Sequence, residues 1–435
     1  MKAFIRRLLP KSLLNIYHHI RAWLTAWMFR FPARHLIVVG VTGTNGKTTV
    51  VSMIGQLLQL LGQPVGWIST ATISIKGEEQ LNKTKLTTAS PKYLQATLRR
   101  MVRAGCKYAI IEASSEGLAQ GRLNGIPIRG TVFTNLTPEH IESHGSFEKY
   151  TLAKERLFKK VRRAQNSPSF IIVNGDDKSA PRFLAYAADQ RIACSLANPA
   201  SNDFPTDTKQ LIGKISKSDL SGSEFTIDDQ TTHLPLIGRF NVMNALEAVA
   251  VVEQLGWKLS DILPHLAEIK AIPGRMEFLS LGLPFQILVD YAPEPASMAA
   301  LYTILPKLKV NRIIHVFGSA GGGRDKSRRP VLGKFIAERA DIAIVTNEDP
   351  YDEPPEQIID QIIAGANVAV PKKAQVEKVL DRRTAIDKAL RLAKSGDLVV
   401  ITGKASEQWI MGPHGQKIAW DDRVVIRELA AQLAR

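Results

Sequence analysis

At 435 residues, with 45% hydrophobic and 23% charged side chains, the chain is long enough to bury two or three cores. Its composition excludes a disordered, collagenous or disulfide-stapled protein. The formal charge of +16 asks for an anionic partner, either anionic lipid or acidic small substrates such as nucleotides. Nucleic acid is set aside because no recognition motif and no aromatic–basic interleaving occurs.

The charge is uneven. No Asp or Glu precedes Glu78, whereas Lys2, Arg6, Arg7, Lys11, Arg21, Arg30 and Arg34 crowd the start. Ile5, Leu8, Leu9, Leu13, Ile16, Tyr17, Ile20, Leu24, Trp27 and Met28 form one helical stripe, and Ser12 is placed to cap a helix beginning just after Pro10. Charges interrupt every apolar run and no small-residue cleavage site follows, so residues 1–34 read as neither a span nor a leader. Two readings of this basic amphipathic helix stay open. It lies on an anionic membrane surface with Trp23 and Trp27 as anchors, or it packs on the protein's own body.

The next stretch organises the chain. Leu36–Val41 reads as a buried strand, Gly40, Gly43 and Gly46 recur every third position, and a helical pattern runs from Thr48 to Leu61. Strand, glycine turn and helix form a phosphate cradle, in which backbone N–H groups and the helix N-terminus face an anion. Gly43, Thr44, Asn45, Gly46, Lys47, Thr48 and Thr49 are the candidate ATP contacts. Lys47 would reach the terminal phosphates and the Thr48 hydroxyl would ligate magnesium. Val41 stands where the usual G-x-x-x-x-G-K-[ST] pattern has glycine.

Apolar runs at Tyr108–Ile111, Thr131–Phe133 and Phe170–Val173 alternate with helical segments and predict a parallel sheet. Glu112 ends one of these strands, at the edge where open sheets bind ligands, and offers a hard oxygen beside Thr48. Asn198 to His233 reads as short antiparallel strands and turns, and Gly238 to Leu255 as a helix. A turn at Ile272-Pro273-Gly274 marks a boundary. Beyond it a second α/β series has strands near Phe285–Val289, Ile313–Phe317, Ile342–Val345 and Leu398–Ile401. His140 and His144 have a spacing that zinc sites use, but no third and fourth ligand presents itself. Cys106 and Cys194 read as buried thiols of a reducing compartment.

Thr42-Gly43-Thr44-Asn45-Gly46-Lys47-Thr48, Glu112-Ala113-Ser114-Ser115 and Thr134-Asn135-Leu136 with His140 resemble the ATP-dependent Mur ligases. So do Asn241-Val242-Met243-Asn244, Pro273-Gly274-Arg275-Met276-Glu277, Asp290-Tyr291-Ala292, Gly323-Arg324-Asp325-Lys326 and Gly403-Lys404. They stand in family order from Leu36 to the C-terminus. Ser114-Ser115 with Gln120 and Arg122, and the run from His144 to Lys154, most resemble the MurE type. That type adds the third amino acid to UDP-N-acetylmuramoyl-dipeptide.

The resemblance implies an α/β fold: a P-loop parallel-sheet ATPase domain over 35–272, after the 1–34 helix, and a Rossmann-like domain over 273–435. It implies a cytoplasmic monomer, at the inner face of the membrane if the helix binds lipid. Its reaction is formation of an acyl phosphate from ATP and a muramoyl-peptide carboxylate, then attack by an amino acid's amine. Two magnesium ions are implied, with Lys47, Glu112, His140 and Lys154 as the catalytic group. Thr48, Glu112, His140 and a Lys154 carbamate would hold the metals, since an ammonium cannot ligate magnesium. Asn241 and Asn244 match positions near the adenine, and Arg275 and Asp290 match residues closing on phosphate and ribose. Thr87, Thr88, Ser114, Gln120 and Arg122 match muramoyl-peptide contacts. Arg324, Asp349, Gly403 and Glu407 match the amino-acid pocket.

Three departures qualify the match. The phosphate loop begins near residue 40, leaving no room for the family's amino-terminal UDP-binding domain. Asp290-Tyr291-Ala292 is followed by Pro293 where the family has histidine. Glu348-Asp349-Pro350-Tyr351 replaces the Asp-Asn-Pro-Arg of diaminopimelate-adding enzymes, so lysine or another diamino acid suits the acidic Glu348, Asp349 and Glu407 better. Folylpolyglutamate synthases would follow Gly-Lys with Gly-Ser, and the MurT amidotransferase subunit carries a four-cysteine zinc site that two cysteines cannot build. A basic ATPase acting at membrane or nucleic acid is the alternative from another class.

Overall fold

Residues that are apolar at every position, rather than at every second one, make strands covered on both faces. β1 (Ile37–Thr42) is such a strand. Val39 and Val41 join one core with Val50, Ile54, Leu246 and Val249, while Val38 joins the opposite core with Leu98, Ala109, Ile111 and Leu157. The computed structural model describes residues 11–138, 144–162, 168–196 and 203–433. The chain divides into two compact units, Met1–Lys270 and Ala271–Arg435.

In the first unit, β2 (Val65–Ile68), β3 (Thr72–Ile75), β4 (Glu78–Leu81), β5 (Tyr108–Glu112), β6 (Gly130–Phe133), β7 (Phe170–Asn174), β8 (Gln190–Ser195), β9 (Thr208–Asp219), β10 (Gly222–Ile227) and β11 (Gln230–Leu234) join β1 in one sheet. Its order is β11-β10-β9-β8-β7-β6-β1-β5-β2-β3-β4. The strands from β2 to β9 in that order pair in parallel, and antiparallel ribbons finish both edges. β1 lies between β5 and β6, with Val41 opposite Glu112 and Thr42 opposite Phe133. The carboxyl ends of three central strands therefore open together beside the glycine turn, where open parallel sheets bind ligands.

The expected strands are present with ends shifted by a residue. The stretch expected to hold only short antiparallel strands instead contains β9, 12 residues long, which pairs in parallel with β8 before its antiparallel partner β10. Its polar residues hid it, because a strand at the margin of the sheet buries few of its side chains. The amino-terminal helix is Lys11–Met28, so Ser12 lies within the helix and not ahead of it. Ile5, Leu8 and Leu9 lie outside the described residues. Cys106 and Cys194 are free and buried, and burial pushes both thiols up from their ordinary value.

The second unit has a sheet of order β12-β13-β17-β14-β15-β16, formed by β12 (Glu277–Phe278), β13 (Gln286–Asp290), β14 (Ile313–Phe317), β15 (Ile342–Val345), β16 (Gln375–Lys378) and β17 (Leu398–Thr402). All but β12 pair in parallel. Val289, Ile314, Ile344 and Ile401 meet Ile386, Ala389 and Leu429 of the covering helices.

Candidate functional site

The loop from Gly43 to Gly46 joins β1 to the Lys47–Leu60 helix. Gly43 and Gly46 have φ of +152° and +85°, and the space beside each is taken. A Cβ on Gly43 would fall 1.9 Å from Thr134 Oγ1, and one on Gly46 2.6 Å from Asn244 Oδ1. The loop is held from outside. Thr44 N donates to the Asn135 carbonyl at 2.8 Å, Asn45 N to Asn135 Oδ1 at 2.9 Å, and the Thr134 hydroxyl to the Asn45 carbonyl at 2.5 Å. The Thr44 and Tyr150 hydroxyls meet at 3.0 Å. Lys47 turns back, its Nζ 2.7 Å from the Thr44 carbonyl.

Glu112 is buried at the end of β5 and its Oε2 gathers three donors. These are Thr48 Oγ1 at 3.0 Å, Thr70 N at 2.6 Å and Thr70 Oγ1 at 3.0 Å. No motif in the sequence marks Thr70. The only hint was a hydroxyl-rich Ser69-Thr70-Ala71-Thr72 at the end of an apolar run, and its relevance depends on β2 lying next to β5. A hydroxyl and a carboxylate at the mouth of a phosphate loop are hard oxygen donors suited to magnesium, with phosphate oxygens and water completing the shell. Among the described residues no three His, Cys, Asp or Glu side chains converge to form a metal cluster without such help.

Lys154 follows a different course from a solvated helix lysine. It lies in the Phe147–Phe158 helix, is buried, donates through Nζ to the Gly43 carbonyl at 2.6 Å, and sits 4.3 Å over the Tyr150 ring. His140 lies outside the described residues. His144 meets Ser115 Oγ at 3.1 Å, and burial, followed by the nearby Lys154 ammonium, lowers its pKa. Of the two histidines whose spacing zinc sites share, and for which the sequence offers no further ligands, only His144 lies among the described residues.

The residues expected to hold the acceptor peptide cluster beyond Glu112. Thr88 Oγ1 donates to the Glu112 carbonyl at 3.1 Å and accepts from Ser114 N at 2.7 Å. Arg122 donates to the Thr88 carbonyl at 2.6 Å and to Gln120 Oε1 at 2.9 and 3.1 Å, and burial lowers its pKa. Thr87 is half-buried beside them. On the Arg239–Gln254 helix, Asn241 and Asn244 are buried. Asn241 Nδ2 donates to the Ile237 carbonyl, and Asn244 faces Gly46.

In the second unit, Arg275 stacks 4.5 Å over the Tyr291 ring, and Asp290 accepts from Met276 N at 2.7 Å and Ala292 N at 2.9 Å. Burial raises the Asp290 pKa against the pull of Arg275. Arg324 is exposed at the end of the glycine-rich loop. Asp349 and Glu407, expected to face an incoming amine, both accept from buried Lys404, at 2.9 and 2.5 Å. The acids already share an internal ammonium, which corrects the picture of a surplus of negative charge. Glu348 lies against Gly403, where a Cβ would come 2.4 Å from its Oε2, and burial raises its pKa. The Tyr351 ring packs on Gly322.

The sequence profile of the Mur ligase middle domain matches residues 41–252, and that of the Mur ligase glutamate ligase domain matches residues 274–405. A UDP-N-acetylmuramoyl-L-alanyl-D-glutamate–2,6-diaminopimelate ligase from Gloeobacter violaceus is 38% identical over 412 residues, covering 94% of this chain and 80% of that protein. A UDP-N-acetylmuramyl-tripeptide synthetase from Treponema denticola is 35% identical, covering 93% of this chain and 78% of that protein. A solved diaminopimelate ligase structure superposes with a TM-score of 0.59 at 28% identity, over 96% of this chain and 84% of that one. Folylpolyglutamate synthase from Mycobacterium tuberculosis superposes with a TM-score of 0.66 at 17% identity, over 95% and 94%, a likeness of fold alone.

Proposed function

The chain belongs to the Mur ligase family and is an ATP-dependent acid–amino-acid ligase, and from that premise we propose that it extends a muramoyl peptide by one amino acid in the cytoplasm. The observation that carries most weight is the meeting of Thr48 Oγ1 and Glu112 Oε2, 3.0 Å apart, at the mouth of the glycine loop. In this reading residues 35–272 form the ATP-binding domain and 273–435 the domain that brings the amino acid.

A carboxylate oxygen of the acceptor attacks the γ-phosphorus, the bond to the ADP oxygen breaks, and an acyl phosphate forms. The amino acid's amine then attacks the acyl carbon. The tetrahedral adduct expels phosphate, and the nitrogen's surplus proton passes to solvent. Positioning and charge neutralisation do most of this work. Lys47 and the N–H groups of residues 43–49 steady the β- and γ-phosphates. Thr48 and Glu112 hold magnesium, with Thr70 fixing the carboxylate. Magnesium, in two ions on this reading, supplies charge neutralisation on the phosphate oxygens.

Lys154 acts as a carbamate, formed from the neutral amine and carbon dioxide with release of a proton. A carbamate nitrogen keeps an N–H for the Gly43 carbonyl while projecting anionic oxygens, so the observed contact is compatible with the modification. His140 joins it on the strength of the sequence motif. Thr87, Thr88, Ser114, Gln120 and Arg122 receive the acceptor, Asn241 and Asn244 flank the adenine side, and Arg275 and Asp290 serve phosphate and ribose. Arg324 binds the amino acid's carboxylate.

The added residue is a diamino acid. Lysine is favoured by Tyr351 in place of the family's arginine, which leaves a distal carboxylate without that partner. Diaminopimelate is the second reading, favoured by what the relatives are named for and by the sharing of Lys404 between Asp349 and Glu407. ADP release is the test. It should require acceptor and amino acid together, and lysine should outpace diaminopimelate. ATP turnover driven by nucleic acid or by lipid alone would overturn the ligase reading.

A further inference from the structure

The Lys11–Met28 helix carries a large apolar surface that its own domain does not bury. Its inward face is made of small groups: Ala22, Thr25 and Ala26 are buried, and a Cβ on Gly125 would come 2.4 Å from that of Ala26. The attachment is polar as well. With its Nε2 protonated, His19 donates to the Ala119 carbonyl at 3.3 Å while Nδ1 accepts from Asn124 Nδ2 at 3.0 Å. Just beyond the helix, Arg99 Nη1 donates to the Phe29 carbonyl at 3.3 Å.

The helix is therefore fixed with its bulky side chains outward. Ile16, Tyr17, Ile20, Trp23, Leu24 and Trp27 are each more than half exposed, Trp27 at 68%. At about 100° per residue these six fall within an arc of roughly 120° that contains no charge. A helix serving only to cover its own domain would turn this arc inward.

Charge decides what covers it. Residues 1–34 contain seven Lys and Arg, and no acid precedes Glu78. A second copy would set this basic segment against itself, with no carboxylate in the segment to offset it. An anionic surface is complementary. No described helix is long and apolar enough to cross a membrane, so the fitting geometry is a helix lying in the interface, where Trp and Tyr concentrate. We propose that this helix seats the protein on an anionic lipid bilayer, its apolar arc among the upper acyl chains and Arg21 and Arg30 among the headgroups. Leu14, His18 and Arg21 also line a cavity of about 450 Å³ with Ser90, Gln120 and Arg122. The docked helix thus holds the acceptor side of the site at the lipid surface, where a lipid-borne muramoyl peptide is delivered. That consequence rests on the ligase reading, whereas the docking does not.

The experiment floats the full chain with vesicles of phosphatidylcholine alone or mixed with phosphatidylglycerol. At least about tenfold more protein should rise with the anionic vesicles, and about 1 M salt should reduce the difference. The Trp23→Ser/Trp27→Ser variant should lose flotation while keeping its thermal midpoint and its ADP release with soluble acceptor. Equal recovery from both compositions, or undiminished flotation of the variant, overturns the proposal. A concentration-dependent dimer that the variant abolishes, without flotation, assigns the face to a second copy and also overturns it. Protein that floats but shows no acceptor-dependent ADP release keeps the docking and sinks the ligase reading. Protein that turns over without floating does the reverse.

Discussion

In the C-terminal unit buried charges meet one another. Arg382 grips Asp422 through Nε and Nη2, each at 2.8 Å, and Lys404 joins Asp349 and Glu407. At the glycine loop of the N-terminal unit Lys47 reaches a backbone oxygen instead, the Thr44 carbonyl. A carboxylate partner holds a buried cation too firmly for a visiting anion to compete, and losing it strands a charge. A carbonyl is a weaker partner that a phosphate displaces. The first arrangement frames a domain, and the second waits for a ligand.

Breaking the frame should have the largest effect. Arg382→Ala leaves Asp422 buried without its partner and should lower stability by about 3–5 kcal/mol, read from urea unfolding. Lys47→Ala should instead cut ADP release by about 100- to 1000-fold with the unfolding midpoint unmoved. A loss of stability matching that of Arg382→Ala would erase the contrast. Lys154→Ala should cost about 100-fold in rate, with partial recovery in added acetate or formate. Undiminished activity in that variant would remove the carbamate.

Titration sharpens the comparison further. His315 is buried in the C-terminal sheet between the Tyr302 hydroxyl and Thr402 Oγ1, and desolvation pulls its pKa down to about 3. The folded state therefore binds its proton later than the unfolded chain does. The stability it contributes is complete above pH 6.5 and is lost as pH falls from there toward 3, by about 1.4 kcal/mol per pH unit. His315→Gln should flatten that part of the urea-midpoint profile. The smallest effect belongs to Thr70→Ala, which removes one of the donors to Glu112. It should cost about 1 kcal/mol, or roughly fivefold in rate, and raise the magnesium requirement.

Much of this was legible in the residue order. Leu36–Val41, the three glycines and Lys47-Thr48 announce the loop, because a strand buried on both faces and a turn requiring positive φ each constrain local sequence. Glu112 was legible as the last residue of a strand. Lys154 was legible only through motif register, since nothing near it distinguishes a buried lysine from a solvated one. Thr70 was not legible, because its contact with Glu112 spans 42 positions and depends on β2 adjoining β5. The pairing of Lys404 with Asp349, 55 positions away, was hidden for the same reason, and the expectation of unbalanced acids failed there.

Local chemistry alone determined the strands, the phosphate loop, the basic amphipathic start and the family, because backbone preferences and hydrophobic period act over a few residues. Tertiary structure decided which lysines are buried, which carboxylates are already neutralised and which face of the first helix looks outward. Those outcomes depend on side chains brought together from distant positions, and a sum over neighbours in sequence does not contain them.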